Sequence, residues 1–525
     1  MDREINLDSI LALEKQIEEY ERITIRLKRT RNSLLNVSTL LPPEILARIF
    51  RCNVIPDGDF SGLPKDSYNF LLVCHHWFEV ASHTPELWCF WGNSIQDWSH
   101  RHSRYTTTPL DLVLMGYQGR DLDDGLRNTL QDRAARDTIR RVHLRTGPEL
   151  LNSIISSIVT KGEPQLSSIE SFILQNDGNM TVDVSEFFAQ YQLPKLKCLH
   201  LLLCGVSSWD LLKSQTTILT TLKLVTGYWL LAPTISELLS ILSSNPLLQE
   251  FTLSCDSHPH ITSSDRFSPQ VSLPHLKDLH LASGFRHVFG LLGHLKLPDE
   301  MNNLKLSLYD CTPSDIPQTL GPYIGDCVQR QSRSPSNGLR LLVVFDCRTF
   351  HLCVGDAHKL DNSTRMVWFM TAEVIMRENP ESEEAEGLGF DLIAHIPLEK
   401  VSDLRTTLPI LHLEELCVKM CNLTHLYLIG VDLSTLFMGS GVCGPHTSED
   451  FLCSLDSIWI IQPTQSSCDL SPLVHFLTHR ATVGNKISSL RLSSLRYMNR
   501  DVTQGILPIV EDFGEVDSEE DVSWY

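Results

Sequence analysis

At 525 residues the chain is too long for one ordinary core, which predicts two or three domains or one elongated repeat array. A formal net charge of −20 repels phosphate backbones and argues against nucleic acid as a partner. With 42% apolar residues, a mean hydropathy of −0.06 and no long uninterrupted apolar run, the composition predicts a soluble globular protein and no membrane span.

The first element, residues 5 to about 36, reads as a charged amphipathic helix. Ile10, Leu13, Ile17, Tyr20, Leu27 and Leu34 fall on a and d positions of a heptad, with Thr24 and Arg31 as imperfect a positions. Arg26-Leu-Lys-Arg-Thr-Arg31 gathers cations near the helix C-terminus, where they suit the dipole. A nuclear-import patch and a coiled-coil seam are the sharper readings of the same residues.

Residues 37–100 form the next unit. Pro42 and Pro43 end the first helix and start another, since proline fits only the first helical turn. Glu44 suits that N-terminus, and Ile45, Leu46, Ile49 and Phe50 read as one apolar stripe. Residues 56–67 read as a Pro/Gly loop. A second helix carries Phe70, Val73, Cys74, Trp77 and Ala81 on one face. Thr84-Pro85-Glu86 reads as an N-cap, N1 proline and first-turn acid of a third short helix presenting Leu87 and Trp88.

Residues 101–134 read as a linker. From 135 to 510 a new rhythm sets in, with apolar residues three, three and two apart. Examples are Ile139/Val142/Leu144, Leu219/Leu222/Leu224, Leu273/Leu276/Leu279/Leu281 and Leu423/Leu426/Leu428. The last leucine or isoleucine of each set recurs at intervals of 23 to 32 residues within a run, which suits one strand plus one helix per repeat. Helical patterns fall between strands, as at 148–161, 234–244 and 470–480. The stretch 310–415 is less regular: Leu339–Phe345 and Met366–Val374 read as strands, and the acidic 377–389 as a flexible loop. Residues 511–525 read as a solvated acidic tail, in which Ser518 would suit an acid-directed kinase.

The fifteen cysteines show no repeated pairing interval, and the charged Met1-Asp-Arg-Glu4 start has no apolar leader behind it. The expectation is reduced thiols in an intracellular protein, cytoplasmic and/or nuclear.

Residues 41 to 90 resemble the F-box, in the F-box-like form abundant in mushroom-forming fungi. The resemblance rests on Leu41-Pro42-Pro43-Glu44-Ile45-Leu46 with Ile49 and Phe50, on Val73-Cys74 with Trp77, and on Thr84-Pro85-Glu86-Leu87-Trp88. The long loop between the first two helices and His75-His76 depart from the pattern. The resemblance implies a three-helix module docking on the Skp-type adaptor of a cullin–RING ubiquitin ligase. Those residues (Leu41, Pro42, Pro43, Glu44, Ile45, Leu46, Ile49, Phe50, Val73, Cys74, Trp77, Leu87 and Trp88) are then its adaptor-binding set.

The expected fold class is α/β: a small N-terminal helical F-box module followed by an irregular leucine-rich-repeat-like solenoid. The expected function is substrate recognition in a Skp-cullin-F-box ligase, with the strand positions between core leucines as the client surface. Trp209, Tyr228, Trp229 and Trp459 are its aromatic candidates. A scaffold acting outside a ligase, and an enzyme with its site in 310–415, stand as the other readings. No catalytic residue, metal or cofactor is expected. Gly439-Ser-Gly-Val-Cys-Gly444 matches G-x-G-x-x-G, but Pro445 follows instead of a helix. His412, Cys417, Cys421 and His425 interleave with core leucines, a poor basis for tetrahedral zinc.

Overall fold

The computed structural model describes residues 7–35, 41–54, 69–88, 90–91, 109–117, 137–158, 166–178, 181–213, 218–227, 232–255, 270–299, 301–312, 315–331, 339–346, 349–360, 366–376, 391–407, 416, 419–429, 454–461, 470–493 and 506–516. The protein is mixed α/β and divides into two compact units, Met1–Ser207 and Ser208–Tyr525. The acidic loop 377–389, Gly439–Gly444, His412, Cys417, Tyr228, Trp229 and Ser518 lie outside the described residues.

The first unit opens with helix α1 (Leu7–Leu35), followed by α2 (Pro43–Val54) and α3 (His75–Ser82). A parallel sheet follows, built from β1 (Phe90–Trp91), β2 (Leu110–Tyr117), β3 (Ile139–Thr146), β4 (Ser171–Asn176) and β5 (Cys198–Leu202), each strand paired to the next in sequence. Register is set by the apolar rows: Leu112, Val142, Phe172 and Leu199 align, as do Leu114, Leu144, Leu174 and Leu201, and all are buried. A one-residue slip would turn every member of a row to the other face. Helix α4 (Pro148–Ile158) follows β3 and buries Leu150, Leu151, Ile154 and Ile155.

Strand β2 lies inside the stretch 101–134 that reads as a linker. Leu110, Asp111, Leu112, Val113 and Leu114 are all buried, so the strand lacks the alternation that marks a half-exposed one. Asp111 is held by Arg140, with Nη2 donating to Oδ2 at 3.0 Å and Nε to Oδ1 at 3.3 Å. Burial raises the Asp111 carboxyl above its ordinary range, against the pull of Arg140 and Arg141.

The second unit contains β6 (Thr221–Thr226), β7 (Glu250–Cys255), β8 (Asp278–Gly284), β9 (Asn303–Cys311), β10 (Leu339–Asp346), β11 (Thr349–Leu360), β12 (Met366–Met376), β13 (Val401–Thr406), β14 (His425–Ile429), β15 (Ser457–Ile461), β16 (Ser489–Ser493) and β17 (Asp512–Val516). The spatial order is β6-β7-β8-β9-β12-β11-β10-β13-β14-β15-β16-β17. All pairs are parallel except β10–β11 and β11–β12. The core rows again align, as in Leu222, Phe251, Leu279, Leu304 and Met370.

The connections explain why these strands pack. Helix α7 (Ile235–Ser244) opens with a capping box, Thr234 accepting from the Glu237 amide while the Glu237 carboxylate accepts from the Thr234 amide. It buries Ile235, Leu238, Leu239, Ile241 and Leu242. Helix α10 (Ser471–Val483) ends at Gly484, whose φ of +92° is open only to glycine without strain. Nearly buried Arg480 on α10 donates through Nη2 to the Leu455 carbonyl (3.0 Å) and through Nε to that of Asn485 (2.8 Å). It thereby satisfies polar groups between strand and helix. (The intervening helices are α5, Ser185–Gln190; α6, Asp210–Lys213; α8, Phe285–Leu292; and α9, Gly321–Gln331.)

The acidic C-terminus also departs from its reading. Asp512–Val516 pairs in register with β16, and Asp512 takes a two-pronged salt bridge from Arg491. The acids do not prevent pairing because Glu511 and Asp512 stay exposed, while an arginine neutralises Asp512.

Candidate functional site

The helical module over residues 41–88 is assembled from short pieces. The Pro42 carbonyl accepts from the amides of Ile45 and Leu46, so α2 starts where proline can occupy its first turn. Glu44 stands in that turn and Arg51 in the last, both suited to the helix dipole. Leu46 and Phe50 are fully buried and Ala47 nearly so.

The four residues read as one stripe thus split in two. Leu46 and Phe50 face inward, while Ile45 and Ile49 stand 45% and 41% exposed beside exposed Pro42 and Pro43. The split follows from helical pitch: adjacent residues differ by about 100°, so neighbours cannot share one direction.

The second segment breaks at Cys74. Asn69–Leu72 is a 3-10 turn, and Cys74 is the extended N-cap of α3, its carbonyl accepting from Phe78 at 3.0 Å. Val73 and Cys74 therefore precede the helix rather than lying on its face. Trp77 packs its ring against Phe50, centroids 5.2 Å apart at 57°, with its indole Nε1 buried and unpartnered. Val80 and Ala81 complete this side of the core.

The third segment, Pro85–Trp88, is one 3-10 turn. Thr84 does not cap it by its side chain. Its hydroxyl instead donates back to the Val80 carbonyl at 2.7 Å, while its own carbonyl accepts from Leu87. Leu87 is fully buried, and Glu86 reaches Arg51 at 3.8 Å, tying the turn to α2. Trp88 closes the turn; its side chain lies outside those described.

Of the sequence-derived set, Leu46, Phe50 and Leu87 form core, Trp77 and Cys74 are half-buried, and Leu41 is intermediate. Pro42, Pro43, Glu44, Ile45, Ile49 and Val73 are exposed. The structure adds Leu72, 84% exposed, and Phe78, 46% exposed. The signal for Phe78 is its place directly after the inward Trp77. Leu72 carries no comparable signal.

A second array of side chains lies in the second unit, on the strand face away from the leucine rows. Arg405, Tyr427, Trp459 and Arg491 stand in register on β13 to β16. The Arg405 guanidinium lies 4.2 Å over the Tyr427 ring, whose centroid is 5.2 Å from that of Trp459. Trp459 Nε1 donates to Ser457 Oγ at 3.0 Å, and Arg491 is held by Asp512. Trp209, by contrast, is buried.

Within the irregular stretch, Cys327, Arg330 and Met370 line a shallow depression with Pro298, Asp299, Met301 and Leu304. Burial pushes the Cys327 thiol up, which disfavours the nucleophilic thiolate. Arg330 is paired with Asp326 at 3.0 Å. Among the described residues no group of three His, Cys, Asp or Glu side chains is placed to hold a metal, and no helix is long and apolar enough to cross a membrane. His75 sits 3.3 Å from Glu79 on the next turn of α3.

Residues 39–89 match the family model of the F-box-like domain, which covers the whole helical module. A domain of this kind suggests, in general, an adaptor role in ubiquitin ligation and is consistent with binding a Skp-type protein. No curated protein matches the chain.

Proposed function

We propose that the chain is the substrate-recognition subunit of a Skp-cullin-F-box ubiquitin ligase. Its helical module docks on the Skp-type adaptor, and its strand units, read as a degenerate leucine-rich-repeat-like solenoid, bind a protein client. The chain performs no bond chemistry in this reading. It supplies proximity between client and ligase inside the cell.

The supporting observation is the division of the module's apolar residues. Leu46, Phe50, Val80, Ala81 and Leu87 already close its core, yet Ile45, Ile49, Leu72, Val73 and Phe78 remain outside. Large apolar side chains left on the surface of a small module favour a partner that covers them. Exposed anchors at helical spacing are the form taken by helix-in-groove recognition. For the client, the Arg405–Tyr427–Trp459–Arg491 row offers aromatic and arginine side chains of the type enriched in interface hot spots.

The test is capture of purified Skp-type adaptor by the full chain, beside the Ile45→Asp, Ile49→Asp double variant. Capture should fall by about 100-fold or more, as for loss of hot-spot contacts, with circular dichroism unchanged because both sites are exposed. Equal capture by both proteins would reject this docking surface. No capture by a well-folded wild type would favour the scaffold reading, and co-purification of cullin with adaptor separates the two.

A further inference from the structure

Helix α1 runs 29 residues, about 43 Å at 1.5 Å per residue, and every described side chain from Leu11 to Arg31 is exposed. Leu13, Ile17, Tyr20 and Leu27 are 57%, 56%, 68% and 64% exposed although they share one heptad seam. Exposed apolar side chains aligned along one helix in this way favour a partner that covers them.

The charges along the helix say what covers it. Its first half carries Asp8, Glu14, Glu18, Glu19 and Glu21 against the single cation Lys15. Its second half carries Arg22, Arg26, Lys28, Arg29 and Arg31 and no acid. The helix's own ion pairs, Arg22 with Glu18 (3.5 Å) and with Glu19 (3.7 Å), occupy the outer b, c and f positions. Glu14, Glu21 and Lys28 occupy e positions beside the seam and enter no ion pair among the described residues.

We propose that α1 pairs with α1 of a second copy of this chain, in antiparallel orientation. Antiparallel pairing lays each acidic half on the other copy's basic half, whereas a parallel pair stacks acid on acid and Arg31 on Arg31. With Arg22 at the two-fold axis, Leu13 faces Arg31 of the second copy, Ile17 faces Leu27, and Tyr20 faces Thr24. Glu14 comes beside Lys28 of the second copy at both ends, since e positions oppose e positions in this orientation. At the axis Ile23, 45% exposed, meets its own copy on one flank of the seam. Glu21 meets its own copy on the other flank, the one unfavourable approach. The interface is isologous and closes at two copies.

The experiment uses the full chain in sedimentation velocity and light scattering. The wild type should run at twice the 59.5 kDa chain mass. Glu14→Lys should weaken the dimer about tenfold, by replacing two attractions with two repulsions. Adding Lys28→Glu should restore it, because the exchanged charges meet again only in an antiparallel pair. Ile23→Cys should cross-link to itself under mild oxidation, and Ile17→Cys should not. Circular dichroism checks that each variant keeps its helix. A single-chain mass at every concentration overturns the proposal, as does a dimer in which the charge exchange fails to rescue or Ile17→Cys is the variant that cross-links.

Discussion

The helical module and the parallel-strand units solve the burial problem in opposite ways. In the module, a few large side chains from three short segments meet at one point, with Phe50 and Trp77 in contact and Leu46 and Leu87 fully enclosed. In the strand units the same kind of side chain recurs row upon row, each strand lending its leucines to the next. A cluster gives a small, defined surface but leaves little redundancy. A row spreads the burial over many equivalent contacts, so one loss leaves its neighbours paired.

Phe50→Ala offers the largest test of that contrast. Removing a fully buried ring at the centre of a small cluster should cost roughly 3–5 kcal/mol and abolish adaptor capture together with the module's helicity. Leu279→Ala, in the middle of the second unit's row, should lower its thermal midpoint while leaving adaptor capture unchanged. If Leu279→Ala also removes capture, the contrast between a local cluster and a separate array fails.

A titration sharpens the comparison within the second unit. His287 on α8 is 3% exposed, its Nδ1 3.2 Å from Ser283 Oγ and its Nε2 buried without a partner. Burial lowers its pKa from 6.5 to about 4. The folded state therefore prefers the neutral ring. Its stabilising contribution is complete above pH 6.5 and is lost as pH falls toward 4, an effect on the order of 3 kcal/mol. Melting curves between pH 7 and 4 should show a steeper loss for the wild type than for His287→Leu; parallel losses would mean that the ring is accessible to protons in the folded chain.

The smallest expected change is at the α7 capping box. Thr234→Ala should cost about 1 kcal/mol, read as a shift of the denaturant midpoint. A shift several times larger would show that the helix entry governs the row it covers, contrary to the distributed burial described above.

Much of this organisation is legible in the residues. The leucine spacing identifies β3 to β9 and β14 to β16, because their core rows repeat at the interval of one strand plus one connection. The two prolines at 42 and 43 locate α2, and the order of the motifs over residues 41–88 identifies the F-box-like module. The reading fails where a residue's partner lies far off in sequence. Asp111 looks like a loop residue until Arg140, 29 positions later, satisfies it. Strand β11 hides because its pairing is with β10 and β12 rather than with a leucine row of the repeated kind. At the site, periodicity identifies the apolar residues of α2 but not the direction each one faces. The packing of Trp77 on Phe50 shows which side of α2 is inward, with Leu46 buried there and Ile45 and Ile49 left exposed.

The β10–β11–β12 meander, set between β9 and β13, lengthens the reach of two strand pairings. Elsewhere in the second unit a strand finds its partner about thirty residues away, as Leu279 finds Phe251 and Leu490 finds Ile458. Here β9 must wait for β12, with Leu304 meeting Met370, and β10 must wait for β13, with Leu341 meeting Leu404. Loop closure raises the barrier with the span to be closed, and these two spans are about twice as long as those of the neighbouring pairings. The stretches on either side can zip up from local contacts. On sequence separation alone, the two pairings that flank the meander are expected to form after those of the stretches on either side.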